Sequence, residues 1–96
     1  METDDVIKAF GALAQDTRLR IMGLLADAGR TGLPAGDISL ALGVPQNTLS
    51  FHLNQMEYAG LINRRRAGRF IIYSANADGM KNLLRYMIDN CCAKVA

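Results

Sequence analysis

Residues 36–62, GDISLALGVPQNTLSFHLNQMEYAGLI, hold two helical patterns separated by a break of about three residues around Gly43 and Pro45. Ile38, Ala41 and Leu42 mark the apolar side of the first, and Leu49, Leu53 and Met56 that of the second. So short a connection forces the second helix to cross the first, and a glycine in it permits the sharp turn. This is the pattern of a helix-turn-helix, whose second helix can enter the major groove of DNA. Pro45 suits the first turn of that second helix, where its missing N–H would have had no partner. An ordinary helical hairpin has the same spacing, so this stretch alone leaves both readings open.

The flanking sequence narrows the choice. Val6, Ile7, Phe10 and Leu13 follow helical spacing behind Thr3 and Asp4, either of which can cap, and predict a helix over about 4–14. Asp16 is a candidate N-cap for a second helix over about 17–28, with Ile21, Leu24, Leu25 and Ala28 inward and Gly29 as its stop. RTGLPAG then reads as a turn. After Gly60, β-branched and aromatic residues on both sides of Ala67-Gly68 predict a two-stranded hairpin, with Arg64, Arg65, Arg66 and Arg69 at its tip. A helix-turn-helix followed by a basic hairpin makes a winged helix, in which Arg69 or its neighbours can enter a narrow minor groove. In the last element Met80, Leu83, Leu84, Met87 and Ile88 recur at the spacing of one helix face, and Cys91 and Cys92 extend that stripe. The expected fold is mainly α, with five helices and a small β-hairpin wing, in a single domain over 1–96.

A domain of this size buries only about 60 to 70 % of its unfolded surface. A second copy would help, and the terminal helices offer apolar faces for a symmetric dimer through Val6, Phe10, Leu83, Leu84, Met87 and Ile88. The formal net charge of +2 is unevenly spread. Residues 1–43 come to −2, whereas 44–75 come to +3 because Arg64, Arg65, Arg66 and Arg69 face Glu57 alone, and the remainder comes to +1. A local basic surplus suits a polyanion docking at one place, and equally a solvated surface. No apolar run approaches the roughly 18 residues of a membrane helix. The acidic start METDD is neither a signal nor a transit peptide. A soluble cytoplasmic protein is expected.

With Leu49, Leu53 and Met56 inward, a helical wheel turns Asn47, Phe51, Asn54 and Tyr58 outward, with Ser50 at the edge. Phe51 is thus apolar and aimed at solvent, where it can meet a thymine methyl or be a plain exposed aromatic. His52 lies nearer the buried edge, where a lone histidine is more often structural.

In order and spacing, ALAQDTRLRIMGLL, ISLALGVPQNTLSFHLNQMEYAGLI and RRRAGRFIIYS resemble the ArsR family of bacterial winged-helix repressors over nearly the whole chain. The resemblance implies a dimer on operator DNA that leaves when an inducer binds, typically a thiophilic or divalent metal ion. It places the recognition-helix contacts on Gln46, Asn47, Thr48, Ser50 and His52, with Asn54 also facing outward, and the wing contacts on Arg64 to Arg69. Phe51 stands where many relatives have a basic residue. The Cys-X-Cys that many arsenic and cadmium sensors carry before the recognition helix is absent from LPAGDISLAL, and the zinc-type site needs histidines that the last helix lacks. The ending resembles arsenic-responsive members with an adjacent C-terminal Cys-Cys.

Soft thiolates select thiophilic centres, so Cys91 and Cys92 favour arsenite or antimonite, with cadmium a further option. A trigonal metalloid wants a third ligand, from the other subunit, a small thiol or water. A structural disulfide is disfavoured, because sequential Cα atoms lie about 3.8 Å apart and unstrained disulfides prefer about 4.4 to 6.8 Å. The same strain would make a vicinal disulfide labile, which suits a redox or persulfide-responsive repressor. Plain packing of the pair is the remaining alternative. A small thiol oxidoreductase finds little support, since the chain has no Cys-X-X-Cys, no phosphate-cradling glycine loop and no acid, base and nucleophile set. No obligatory cofactor is expected.

Overall fold

The computed structural model describes residues 1–95. Helices α1 (Thr3–Leu13) and α2 (Asp16–Ala28) lead through a 3₁₀ turn, Gly29–Thr31, into a short strand β1 (Leu33–Pro34). Helices α3 (Ala35–Leu42) and α4 (Gln46–Tyr58), strands β2 (Ile62–Ala67) and β3 (Phe70–Ala75) and helix α5 (Ala77–Met87) follow. A π-helical segment, Ile88–Cys92, and a last helical turn, Ala93–Val95, continue α5. Five helices and an antiparallel sheet make a winged helix-turn-helix, as the periodicities predict. Among the described residues no helix is long and apolar enough to cross a membrane.

The turn between α3 and α4 works as its glycine requires. Gly43 adopts φ +67 and ψ +31, a left-handed conformation that ends α3, and its N–H returns to the Ser39 carbonyl at 2.9 Å. The Ser39 hydroxyl donates to the Val44 carbonyl at 2.5 Å, and the Arg20 guanidinium reaches across from α2 to the Leu42 carbonyl at 3.2 Å. Pro45 stands one residue before α4, at φ −58 and ψ 146, so it caps the helix entrance and does not occupy the first turn. A similar one-residue shift occurs at α2. Gln15, not Asp16, is the N-cap, and its side chain accepts from the Arg18 N–H at 2.9 Å. At α1, Thr3 is the first helical residue and no side chain caps the start.

The sheet has three strands in the order β1-β3-β2, one more than the sequence suggests. Leu33 pairs with Tyr73 and Pro34 with Ile72. A two-residue strand ending in proline leaves no periodic trace, and proline is tolerated because β1 lies at the sheet edge. Gly32, at φ +69, packs so closely on the Tyr73 carbonyl that no side chain fits. In the hairpin Ala67 pairs with Phe70, so the connecting residues are Gly68 and Arg69, one position later than expected. Gly68 takes φ +62 and no non-glycine residue among the described residues has positive φ, which matches a type II′ turn with glycine at its first central position.

Ile21, Leu25, Ile38, Leu49, Leu53 and Met56 are wholly buried and lock α2, α3 and α4 together. In α3 only Ile38 of the expected trio is buried; Leu42 is half-buried and Ala41 exposed, because two helical turns present few positions inward. In α1 the buried positions are Val6, Ala9 and Ala12, whose small side chains let the helix approach closely, while Ile7 and Phe10 face out. Two residues expected at a dimer surface are corrected. Val6, 6 % exposed, and Leu83, 1 % exposed, belong to the protomer's own core, whereas Phe10, Leu84 and Ile88 are exposed and Met87 half-buried. The Asn76 side chain seats α5 on the end of α4: its Oδ1 accepts from the Gly79 N–H at 3.1 Å and its Nδ2 donates to the Gly60 carbonyl at 2.9 Å. The last apolar stripe runs on through the π-helical segment as exposed surface, with Leu84, Ile88, Cys91 and Cys92 all exposed in the protomer.

Candidate nucleic-acid interface

Helix α4 sits on the core through Leu49, Leu53 and Met56, each fully buried. Spacing of three and four residues places these on one stripe, so the opposite stripe must point outward. Asn47, Phe51, Asn54 and Tyr58 are exposed, as the wheel predicts, and so are Gln46, Thr48 and the edge residue Ser50, while His52 is half-buried. The Asn47 carboxamide oxygen accepts from the Thr48 N–H at 2.9 Å, and the Ser50 hydroxyl donates to the Gln46 carbonyl at 2.9 Å. The first turn of α4 carries no acidic residue, so nothing offsets its positive helix end. A rigid helix with amides and hydroxyls at its leading end has the donors and acceptors that base edges require.

His52 is held by a residue that sequence reasoning passed over. The Arg18 Nε, from α2, donates to His52 Nδ1 at 3.1 Å, and the Arg18 guanidinium lies 5.9 Å from the centre of the Phe51 ring. The Phe51 and His52 rings meet edge-on, with centroids 6.1 Å apart. Burial, and then the positive charge of Arg18, push the His52 pKa below its ordinary 6.5. The imidazole is therefore neutral at neutral pH, and since Nδ1 accepts, its proton is on Nε2. Farther along the helix the Lys8 ammonium, from α1, lies 4.5 Å from the centre of the Tyr58 ring and 3.3 Å from its hydroxyl.

The expectation of four arginines at the wing tip is corrected by the pleat. Alternate residues of β2 point to opposite faces, so Arg64 and Arg65 diverge. The Arg64 Nε pairs with Glu57 of α4 at 3.3 Å, and Arg65 turns the other way, donating to the Arg30 and Thr31 carbonyls at 3.4 and 3.0 Å. Arg66, whose Nε donates to the Gly68 carbonyl at 3.3 Å, and Arg69 in the turn remain at the tip. Two cations thus lead the wing and two brace it.

Cys91 and Cys92 lie apart from these elements, both as free exposed thiols. Among the described residues no group of three or more histidine, cysteine, aspartate or glutamate side chains is placed to hold a metal ion.

Comparison with known proteins agrees with this geometry. A family profile described as a helix-turn-helix domain matches residues 13–65. The transcriptional repressor SdpR of Bacillus subtilis is 32 % identical over 80 residues, which span 83 % of this chain and 86 % of that protein. An ArsR-like transcriptional regulator from a Rhodococcus species superposes with a TM-score of 0.82 at 26 % identity, covering 95 % of this chain and 82 % of its own. A homodimeric winged helix-turn-helix DNA-binding domain from Mycobacterium bovis superposes with a TM-score of 0.75 at 28 % identity, over 90 % of this chain and 78 % of that one. These proteins are regulators of transcription and not enzymes, which removes the oxidoreductase alternative. An outward α4 seated on a buried apolar stripe, a basic wing beside it and this set of relatives lead to one conclusion: the chain belongs to the ArsR/SmtB family of winged helix-turn-helix transcriptional regulators.

Proposed function

We propose that the protein is a homodimeric repressor that holds operator DNA until As(III) or Sb(III) binds Cys91 and Cys92. The observation that carries the DNA reading is the division of α4 into a wholly buried stripe and an exposed polar stripe, beside a wing tipped by Arg66 and Arg69. Gln46, Asn47, Thr48 and Ser50 read base edges in the major groove, and the wing arginines meet phosphates alongside. Two copies reach successive major grooves about 34 Å apart. Dimerisation joins the exposed residues Phe10 of α1, Leu84 of α5 and Ile88 of the π-helical segment that continues it, and α1 and α5 already lie against each other in the protomer. The homodimeric relative supports this assembly.

The inducer reading rests on the two adjacent thiols, accessible to a soft ion and continuous with the helix that supplies the dimer face. A third ligand comes from the partner subunit, a small thiol or water. Binding releases DNA only if the liganded dimer disfavours the spacing of reading heads that the operator requires.

A mobility shift on the DNA upstream of the protein's own gene tests both parts. Arsenite is expected to release the wild type, and Cys91→Ser or Cys92→Ser to bind DNA and resist release. A double variant that still responds to arsenite would exclude the cysteines. Because both thiols are exposed, a redox or persulfide signal is the second reading; it predicts release by a persulfide donor or mild oxidant and none by arsenite.

A further inference from the structure

Helix α4 contains no lysine or arginine, and Glu57 is its one charged residue, since His52 is neutral. A helix that enters a DNA groove without a cation of its own leaves the flanking phosphates uncompensated. The fold brings one in from elsewhere. Arg18 is in the first turn of α2, 34 positions before His52, and its Nε–H is spent on the His52 ring. Arginine has five N–H donors in a planar fork, so four remain on Nη1 and Nη2, and they make no hydrogen bond among the described residues. Nor does any carboxylate among the described residues pair with Arg18; the recorded ion pair is Arg64 with Glu57.

Two contacts hold this guanidinium, and a third fixes the backbone from which it starts. Gln15 caps α2 through the Arg18 backbone N–H and sets where the side chain starts. His52 accepts from Nε, which ties the guanidinium to α4 and leaves Nη1 and Nη2 without a hydrogen bond among the described residues. Phe51, 58 % exposed on the outward stripe, offers its ring to the same cation. An exposed phenylalanine between polar positions is thus a shelf for a cation from another helix.

We propose that Arg18 is a phosphate-binding residue of the reading head, positioned by His52 and Phe51, and that it supplies from α2 the cation that α4 lacks. The proposal rests on the DNA-binding reading above. The ligand is the DNA backbone: a phosphate beside the groove that α4 enters accepts from Nη1 and Nη2, the fork geometry that arginine offers and lysine does not. The contact adds affinity in a register set by α4 without reading sequence itself.

The test is the salt dependence of binding to a short duplex that the wild-type dimer enriches from a random pool. Each neutralised phosphate contributes about 0.9 to the slope of log K against log salt, so Arg18→Gln is expected to flatten it by about 1.8 per dimer. Arg18→Lys keeps the charge and the slope but loses affinity. His52→Ala frees the guanidinium and weakens binding, and His52→Asn, which keeps an acceptor near the place of Nδ1, recovers part of the loss. Lys81→Gln, on α5 and not among the residues that hold Arg18, leaves the slope as in wild type. A residue that only braced α2 against α4 would change stability and not the slope. An Arg18→Gln protein with native circular dichroism and the wild-type slope overturns the proposal while leaving the DNA reading intact. A wild type that enriches no sequence and binds duplex without salt dependence overturns the DNA reading itself, and this proposal with it.

Discussion

Leu53 and Phe51 stand two positions apart on α4, and the structure assigns them opposite consequences. Leu53 is 0 % exposed, beneath the reading helix, and Phe51 is 58 % exposed above it. Leu53→Ala removes buried methyl groups and leaves a cavity in the core beneath α4, for which the expected cost is about 3 to 5 kcal/mol. Against a total of about 5 to 15 kcal/mol for an ordinary domain this is a large share. At about 4 to 8 °C per kcal/mol for a domain of this size, Tm falls by at least about 12 °C. Phe51 buries less than half of its side chain, so Phe51→Ala costs about 1 kcal/mol or less. Urea titration at one fixed protein concentration separates the two, since dimerisation makes apparent stability concentration-dependent. The Leu53 variant should shift the midpoint with no change in m, and the Phe51 variant should melt nearly as wild type while binding DNA more weakly. Equal losses, or a loss below about 1 kcal/mol for Leu53→Ala, would refute the seating of α4 on this stripe.

His52 adds a pH dependence. Its folded pKa lies below 6.5, so above about pH 6.5 both states are neutral and it contributes nothing; as pH falls from there the unfolded chain takes up the proton first and stability is lost until the folded pKa is passed. Thermal melts between pH 7.5 and about 5 should show this decline in the wild type and less of it in His52→Asn. At the wing, Arg69→Gln should flatten the salt slope by about 1.8 per dimer and Arg65→Gln should leave it nearly unchanged, because Arg65 is turned back onto the 3₁₀ turn. Equal effects from both arginines would show that the wing meets DNA along its whole strand.

Much of the architecture was legible because it is local. The stripe Leu49, Leu53, Met56, the left-handed Gly43 and the glycine of the hairpin turn are set by relations between neighbours a few positions apart, where backbone preference and burial period act directly. Departures occurred where the relation is distant or the element short. Strand β1 pairs Leu33 with Tyr73 and has no period to read. Val6 and Leu83 carry the same apolar signal as Phe10 and Leu84, and only packing shows which of them face inward.

The amino-acid sequence by itself determined two short helices joined by a tight glycine turn, a basic hairpin and an amphipathic final helix, since each is encoded by period and turn chemistry within a single segment. Only the tertiary structure decided where the charges are used. It drew Arg64 and Arg65 back to the body, left Arg66 and Arg69 at the wing tip, and carried Arg18 from a net acidic stretch to the face of α4. Such placements depend on how helices cross and strands pleat, and exposed ion contacts add little to folding energy, so no local pattern announces them.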